Sequence, residues 1–360
     1  MSQNQSNLIK LAIEKAKQNL GSTGENPSVG CLVVKNNSVI SSAITSKNGR
    51  PHAEFLALSK NKNFYNAQLY VSLEPCSHYG KTPPCTNIIL KKKIKKVIFP
   101  FVDNNPITKR KAFHILKKKR IKVIHSKKNK QYEIYKSYFN QFLNNIPYID
   151  AKIAISKDLF TINKKNRWIT NIYSRKRGHL LRSKYNCIIT SYKTINKDNP
   201  MFDCRIEGLE NKSPHVVIFD RHLNLSKNLK IMINKIPRRK LYIVTSSNDK
   251  NKIKYFKRKG FIILFFKSLK TVEDYKKVLM YLKNKSYHRI LLESGLGLLN
   301  YFLKNNFINS LYLFKSNTKL NSNGKNNYSN NLIKCYNRRK KIKVNLFGDE
   351  LFKLTLKNNV

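Results

Sequence analysis

His52 is followed two residues later by Glu54, and the chain then presents Pro75-Cys76 and Cys85. One imidazole and two thiolates suffice to hold a Zn²⁺ ion and leave its fourth position open for water. The ion lowers the pKa of that water toward neutrality, and a carboxylate two residues after the histidine is placed to carry the proton away. His52, Cys76 and Cys85 are therefore the candidate metal ligands and Glu54 the candidate catalytic residue. The thiols are separated by a long segment, Ser77 to Pro84, rather than by the two residues of a C-x-x-C pair. Cys31, Cys187, Cys204 and Cys335 lack metal-like neighbours and read as small core residues.

The surrounding elements alternate between helical and strand patterns. Leu8, Leu11, Ala12, Ala16 and Leu20 predict an amphipathic first helix ended by Gly21 and Gly24. Val29–Val34 and Val39–Ala43 predict a hairpin turning at Lys35-Asn36-Asn37-Ser38. A helix then carries His52 and Glu54, and a strand over Leu69–Leu73 leads into Glu74-Pro75-Cys76. Thr82 is expected to cap a helix holding Pro83, Pro84 and Cys85 in its first turn. Helix N-termini suit both ligand clusters, because the helix dipole stabilises thiolates. Strands over Val97–Phe101 and Ile121–Ile124, with a helix between them, complete this α/β layer.

A boundary is expected near Asn144-Asn145-Ile146-Pro147, giving domains 1–145 and 146–360. The second half repeats short apolar runs at Tyr148–Ile155, Cys187–Thr190, His215–Phe219, Leu241–Val244, Phe261–Phe265 and Arg289–Leu292. Helical patterns between them predict a largely parallel, doubly wound sheet. Glu293-Ser294-Gly295-Leu296-Gly297 follows a strand and opens a helix, where the glycines either cradle a phosphate or permit a tight turn. Ser316–Asn331 is rich in Asn, Ser and Lys and reads as a long loop.

Lys and Arg number 72 against 19 Asp and Glu, a net charge of +53. Such a field attracts polyanions, so a nucleic-acid partner has to be weighed. The excess is mostly Lys and spreads over the whole chain, and runs such as Lys91–Lys93, Lys117–Lys119 and Lys127-Lys128 read as solvated faces. No dedicated nucleic-acid site is expected. The polar start lacks the apolar stretch of a signal peptide, and no apolar run approaches bilayer length. A cytoplasmic chain without a disulfide framework or a membrane partner is the expectation.

The set H-x-E, P-C and a second Cys is the pattern of the zinc nucleobase deaminases. More specifically, Ser72 through Cys85, Asn26 through Cys31 and Pro51 through Glu54 closely resemble the deaminase half of the bifunctional riboflavin-biosynthesis deaminase/reductases. That resemblance implies a cytidine-deaminase-like α/β/α layer followed by a dihydrofolate-reductase-like α/β domain. It implies a phosphoribosyl pyrimidine substrate contacted by Asn26, His78 and Lys81, the last two suited to its phosphate. Glu54 would pass its proton to the ring nitrogen and then to the leaving amine.

In the second half Pro147-Tyr148-Ile149 with Lys152, Trp168-Ile169-Thr170 and Thr194 through Arg205 resemble the reductase of the same family. The resemblance implies NADPH lined by Ala154, Trp168, Thr194 and Asp198, with Asn166, Arg182, Phe202, Arg205 and Glu293 facing the substrate. On the residues alone, Trp168 reads equally as core and Arg182 as a solvated helix residue.

Three departures stand out. Thr45 occupies the place of a substrate-side His. Thr108-Lys109-Arg110-Lys111 replaces a Gly-containing segment after Asn105-Pro106, and Ser156-Lys157-Asp158-Leu159 lacks the Gly that ends the family's turn. The expected function is zinc-dependent deamination followed by NADPH-dependent reduction of the ribosyl group, on a chain that could form a homo-oligomer. The alternatives are a deaminase whose second domain is only structural, and a deaminase acting on nucleic acid.

Overall fold

A computed structural model describes residues 2–126, 133–327 and 336–356. Lys127, Lys128, Cys335 and the end of the expected loop (328–331) lie outside the described residues. The chain divides into two compact units, Met1–Asn145 and Ile146–Val360. Among the described residues no helix is long and apolar enough to cross a membrane.

The first unit runs α1 (Gln3–Gln18), β1 (Gly30–Lys35), β2 (Ser38–Ile44), α2 (Ala53–Leu58) and β3 (Gln68–Val71). It continues with α3 (Cys85–Lys91), β4 (Lys96–Phe99), α4 (Lys111–Lys118), β5 (Lys122–His125) and α5 (Lys136–Leu143). The sheet order is β2-β1-β3-β4-β5, with β1 antiparallel to both neighbours and β3, β4 and β5 mutually parallel. The β1–β2 turn places Asn36 and Asn37 at φ 49° and 60°, the paired left-handed geometry that matches strand twist.

Helix α1 turns Ile9, Ala12, Ile13 and Ala16 inward; of the expected face, Ala12 and Ala16 are buried and Leu8 and Leu20 pack against the same core, while Leu11 stays 46% exposed. Positions 9, 12, 13 and 16 follow the i, i+3, i+4, i+7 stripe that one helical face permits. Gly30 is part of that fit, since a Cβ there would stand 2.0 Å from the Ala12 carbonyl oxygen.

Thr82 does not cap α3. Pro84 occupies the cap position in extended conformation without a side-chain cap bond, and Cys85 is the first helical residue. A proline pushes its predecessor out of the α region, so Pro83-Pro84 delays the helix start.

The second unit runs β6 (Tyr148–Ile155), β7 (Phe160–Asn163), α6 (Ile172–Arg182), β8 (Cys187–Ser191), α7 (Tyr192–Asp198) and β9 (His215–Phe219). Next come α8 (Lys230–Ile233), β10 (Leu241–Thr245), α9 (Lys250–Arg258), β11 (Phe261–Phe265), α10 (Val272–Asn284) and β12 (Arg289–Leu292). It ends with α11 (Leu296–Lys304), β13 (Ser310–Lys315), β14 (Gly324–Asn327), β15 (Tyr336–Lys341) and β16 (Glu350–Leu356).

Its nine-stranded sheet has the order β11-β10-β9-β8-β12-β6-β13-β16-β15. Pairing is parallel from β11 through β13, as the apolar runs predicted, and antiparallel where β16 joins β13 and β15 joins β16. The edge strand β15 reads Tyr-Asn-Arg-Arg-Lys-Lys, which hides it from any search for apolar alternation. The expected loop after Ser316 is also shorter than predicted, because β14 pairs antiparallel with β7. Its Gly-Lys-Asn-Asn sequence carries no strand signal; its backbone pairing is joined by bonds from the Thr161 hydroxyl to the Asn326 carbonyl and from the Asn327 side chain to the Asp158 carbonyl.

Both segments that lack the family's glycine keep a left-handed residue nearby. Arg110 has φ 59° and Leu159 φ 71°. The second turn is tied by Asp158, which accepts from the Ser156 hydroxyl and from the backbone N–H groups of Leu320 and Asn321. Burial pushes the Asp158 carboxyl up, but these donors outweigh it and hold it at about 2.

Arg110 is exposed and left-handed, a conformation costing an L-residue roughly 1–2 kcal/mol. Glycine returns about 0.5–1 kcal/mol of that through unfolded-chain entropy. Arg110→Gly is therefore expected to raise the urea midpoint of the first unit, by a net gain of about 0.5–1 kcal/mol. An unchanged or lower midpoint contradicts this account. For Asp158, a folded pKa below the ordinary value means its stabilisation is complete above about pH 4 and is lost as pH falls toward about 2. Across that window the acid dependence of stability should be steeper in the wild type than in Asp158→Asn.

Candidate active sites

The metal centre is assembled where α2 and α3 begin. His52 is the N-cap of α2, with Ala53 and Glu54 buried in its first turn. Cys76 lies on the segment leaving β3, and the first amide of α3, that of Cys85, donates to its Sγ at 3.2 Å. His52 Nδ1 stands 3.5 Å from Cys76 Sγ and 3.4 Å from Cys85 Sγ. One ligand atom from each residue falls within 4.8 Å of the others. Tetrahedral zinc with ordinary Zn–N and Zn–S bonds has N···S edges of about 3.6 Å, so these residues fit the ion.

The charges agree with that fit. Cys76 is pushed down to about 4, first by the hydrogen bond from the Cys85 thiol and then, against burial, by His52. Cys85 is pushed well above the usual thiol range, by its bond to Cys76 and by burial. The two sulfurs thus share one proton, which a divalent cation replaces. Burial, followed by the Cys76 thiolate, pushes the Glu54 carboxyl up to about 7. Cys31, fully buried on β1, lies close enough to Glu54 and Cys85 to feel their charges, but it is outside the ligand group.

Sequence reasoning missed the support beneath Cys76. Glu74 is 3% exposed, and its carboxylate accepts from the backbone N–H groups of Asp103, Arg110 and Phe113. Asp103 in turn accepts from the amide of Asn105 and the hydroxyls of Thr108 and Tyr138. A carboxylate next to Pro75-Cys76 was the available signal; its partners lie about thirty residues on and carry no pattern.

The residues expected to contact the substrate lie on loops of the first unit. The Asn26 side-chain amide donates to the Gly49 carbonyl at 3.2 Å. A Cβ on Gly49, which has φ 84°, would run into that side chain. His78 is half-buried with Nδ1 lacking a hydrogen-bond partner, as does the buried Ser77 Oγ, and Lys81 is exposed. Thr45 is buried and its hydroxyl accepts from the Val29 amide, so it ties β2 to β1 instead of facing a ligand.

In the second unit the candidates gather at the C-terminal ends of β6, β8 and β12, which are neighbours in the sheet and form the usual ligand edge of a parallel sheet. Thr194 Oγ1 accepts from the Gly295 amide at 3.0 Å, joining the start of α7 to the start of α11. The Gly295 N–H is therefore engaged by Thr194 rather than free for a phosphate. Ala154 is half-buried near the end of β6. Lys152, two residues earlier on the same face, has its ammonium pushed down by burial while Glu293 and Asp198 oppose this.

Arg182 is not a solvated helix residue. It forms a two-pronged pair with Glu293, Nε to Oε1 at 2.7 Å and Nη2 to Oε2 at 2.9 Å, and also donates to the Asp203 carbonyl. Its guanidinium lies over the ring of Phe202, which is 4% exposed and so is packed beneath the cleft. Arg205 contacts His179 at 3.0 Å and remains 64% exposed in its side chain. Trp168 is 51% exposed, not core, and lies between the guanidinium groups of Arg167 and Arg175. Arg167 also donates to the Asp198 carbonyl, while Asn166 is exposed on the turn after β7.

Known proteins resemble both units. Residues 2–100 match the cytidine and deoxycytidylate deaminase zinc-binding region, and residues 147–317 match the RibD C-terminal domain. The riboflavin biosynthesis protein RibD of Aquifex aeolicus is 32% identical over 313 residues, covering 86% of this chain and 85% of that one. RibD of Buchnera aphidicola subsp. Baizongia pistaciae is 33% identical over 321 residues, covering 85% of each. The structure of Acinetobacter baumannii RibD superposes with a TM-score of 0.81 at 27% identity over 99% of both chains. A Thermotoga maritima deaminase/reductase shares the fold with a TM-score of 0.79 at 24% identity, covering 98% of this chain. With a His/Cys/Cys zinc group in the first unit and near full-length relatives at about a third identity, the chain belongs to the RibD family of bifunctional riboflavin-biosynthesis deaminase/reductases.

Proposed function

We propose that the first unit hydrolyses the exocyclic amine of a diaminopyrimidinone bearing a ribosyl phosphate. The observation that supports this reading most directly is the three-ligand cluster with the buried Glu54 two residues after His52. Zinc held by His52, Cys76 and Cys85 supplies a Lewis acid that lowers the pKa of the attacking water. Glu54 takes a proton from that water and passes it to the ring nitrogen as the oxygen adds to the amine-bearing carbon; it then takes the second proton from the new hydroxyl and delivers it to the amine, so that the C–N bond breaks, ammonia leaves and a carbonyl remains. Burial pushes the Glu54 carboxyl up from the ordinary range, which suits a group that must both accept and return a proton. Asn26 orients the pyrimidine, and His78 and Lys81 face its phosphate.

The second unit reduces the ribosyl group of the deaminated product to a ribityl chain. NADPH bound along Ala154, Trp168, Thr194 and Asp198 supplies the hydride. Two contacts support that assignment: Thr194 meets Gly295 at the C-terminal edge of the sheet, and Arg167, which lies over the exposed Trp168 ring, donates to the Asp198 carbonyl. Asn166 and Arg205 reach the substrate. Arg182 and Glu293 act as one fixed ion pair at the cleft floor above Phe202. Division of labour follows: Arg205, which meets His179 and, at 3.7 Å, the Asp203 carboxylate but keeps a largely exposed side chain, holds the phosphate, because both prongs of Arg182 are taken by Glu293.

The purified chain given the diaminopyrimidinone ribosyl phosphate should release ammonia without NADPH, and should oxidise NADPH only after deamination. Glu54→Ala is expected to cut ammonia release by roughly 10²–10⁴-fold while leaving reduction of pre-deaminated substrate intact. Chelation of zinc should give the same split, and ammonia undiminished in Glu54→Ala would overturn the assignment. In the reductase, Arg205→Ala should raise KM about tenfold with a smaller change in kcat. Arg182→Ala should instead destabilise the unit by about 3–5 kcal/mol, since it leaves Glu293 buried and unpaired; equal stability of the two variants in urea would contradict the proposed division.

A further inference from the structure

The segment between the two thiol ligands, Ser77 to Pro84, forms no helix or strand. Its own bonds are sparse: Gly80 N–H to the Thr82 carbonyl at 3.3 Å, and Asn87 to the Tyr79 hydroxyl at 3.0 Å. From the other side of the metal centre Arg50 reaches it, with Nη1 donating to Thr82 Oγ1 at 2.5 Å. Arg50 precedes the ligand His52 by two residues, so its backbone is fixed by the same site that the segment encloses.

The guanidinium is only partly engaged. It carries five N–H donors in a planar fork. Among the described residues Thr82 is its one hydrogen-bond acceptor, and no carboxylate pairs with it. Nη2 lies 3.8 Å from the place a Cβ on Gly80 would occupy, and His78 Nε2 lies 3.6 Å from that same point. The missing side chain at Gly80 therefore leaves a gap that two donors border. Lys81 follows immediately and is exposed, and neither His78 nor Lys81 has an acidic partner among the described residues. His78 Nδ1 and Ser77 Oγ are buried without any partner. Arg50 and His78 thus border one gap with Lys81 next in the chain, and none of the three pairs with a carboxylate among the described residues.

We propose that Arg50 is a specificity-determining residue of the deamination site. Its free guanidinium edge grips the phosphate of the substrate beside His78 and Lys81, while its Thr82 bond draws the inter-thiol segment over that phosphate. Arginine suits the task because its planar fork matches two phosphate oxygens at once. The assignment rests on the reading above that His78 and Lys81 face a phosphate.

The test compares deamination of the phosphorylated substrate with that of the same compound after removal of its phosphate. Zinc content is measured in each variant to verify that the centre is intact. In Arg50→Ala the preference in kcat/KM for the phosphorylated form should fall roughly ten- to a hundredfold, mostly through KM. Arg50→Lys, which keeps the charge but not the fork, should recover part of it. If Arg50→Ala slows both substrates equally, Arg50 is only a tether and the proposal fails. Lys81→Ala separates the two layers of the argument. Lost preference in Lys81→Ala but not in Arg50→Ala sinks the role of Arg50 alone, whereas unchanged preference in both sinks the phosphate reading itself.

Discussion

Two sulfurs and a ring nitrogen crowd within 4.8 Å of one another beside a buried carboxylate, and the first unit is arranged around that concentration of electron-rich groups. Sulfur and carboxylate charges repel at such separations unless donors or a cation sit among them. The N-termini of α2 and α3 supply the donors, most directly the Cys85 amide on Cys76. Glu74 then holds the strand exit that carries Cys76 against the segment from Asp103 to Phe113 through three backbone amides. The zinc site is thus supported from both sides, and its chemistry depends on helix starts rather than on the helices themselves.

The second unit solves a related problem with an ion pair. Arg182 from α6 and Glu293 from the end of β12 lie far apart in the chain, yet meet in a two-pronged contact over a buried phenyl ring. Both partners are mostly shielded from water, so the pair fixes the geometry of the cleft floor more than it adds stability. Lys152 completes the group, its ammonium pressed down by burial and drawn up by Glu293.

The net charge of +53 gains a different meaning from this distribution. Of the 19 acidic residues, Glu54, Glu74, Asp103, Asp150, Asp220, Glu293 and Asp349 are buried. Carboxylates are concentrated where they catalyse, accept backbone amides or pair with arginine, while the lysine runs at 91–93 and 117–119 lie largely at the surface. The excess charge is a property of the solvated faces. The inter-thiol segment is the exception, where position and not number makes the basic residues matter.

Several features were legible in the chain itself. The zinc ligands, Glu54, the parallel strands of the second unit and the Asn36-Asn37 hairpin are local patterns whose chemistry or periodicity needs no distant partner. The inward stripe of α1 was legible at Ala12 and Ala16 but not at Leu11, which is exposed, while Ile9 and Ile13 complete the buried face. The charged strand β15 and the polar strand β14 were invisible, since neither carries an apolar alternation and their pairing partners lie far along the chain or on another strand. The two segments that depart from the family's glycine were legible as departures only; Arg110 and Leu159 hold left-handed backbone there. Such strain persists only when surrounding bonds over-determine it, as those of Glu74 and Asp158 do. By itself the sequence determined which atoms could bind zinc and move a proton. Tertiary structure decided which carboxylate braces the metal loop, which arginine is already paired and which remains free, because those outcomes depend on contacts between residues tens to more than a hundred positions apart.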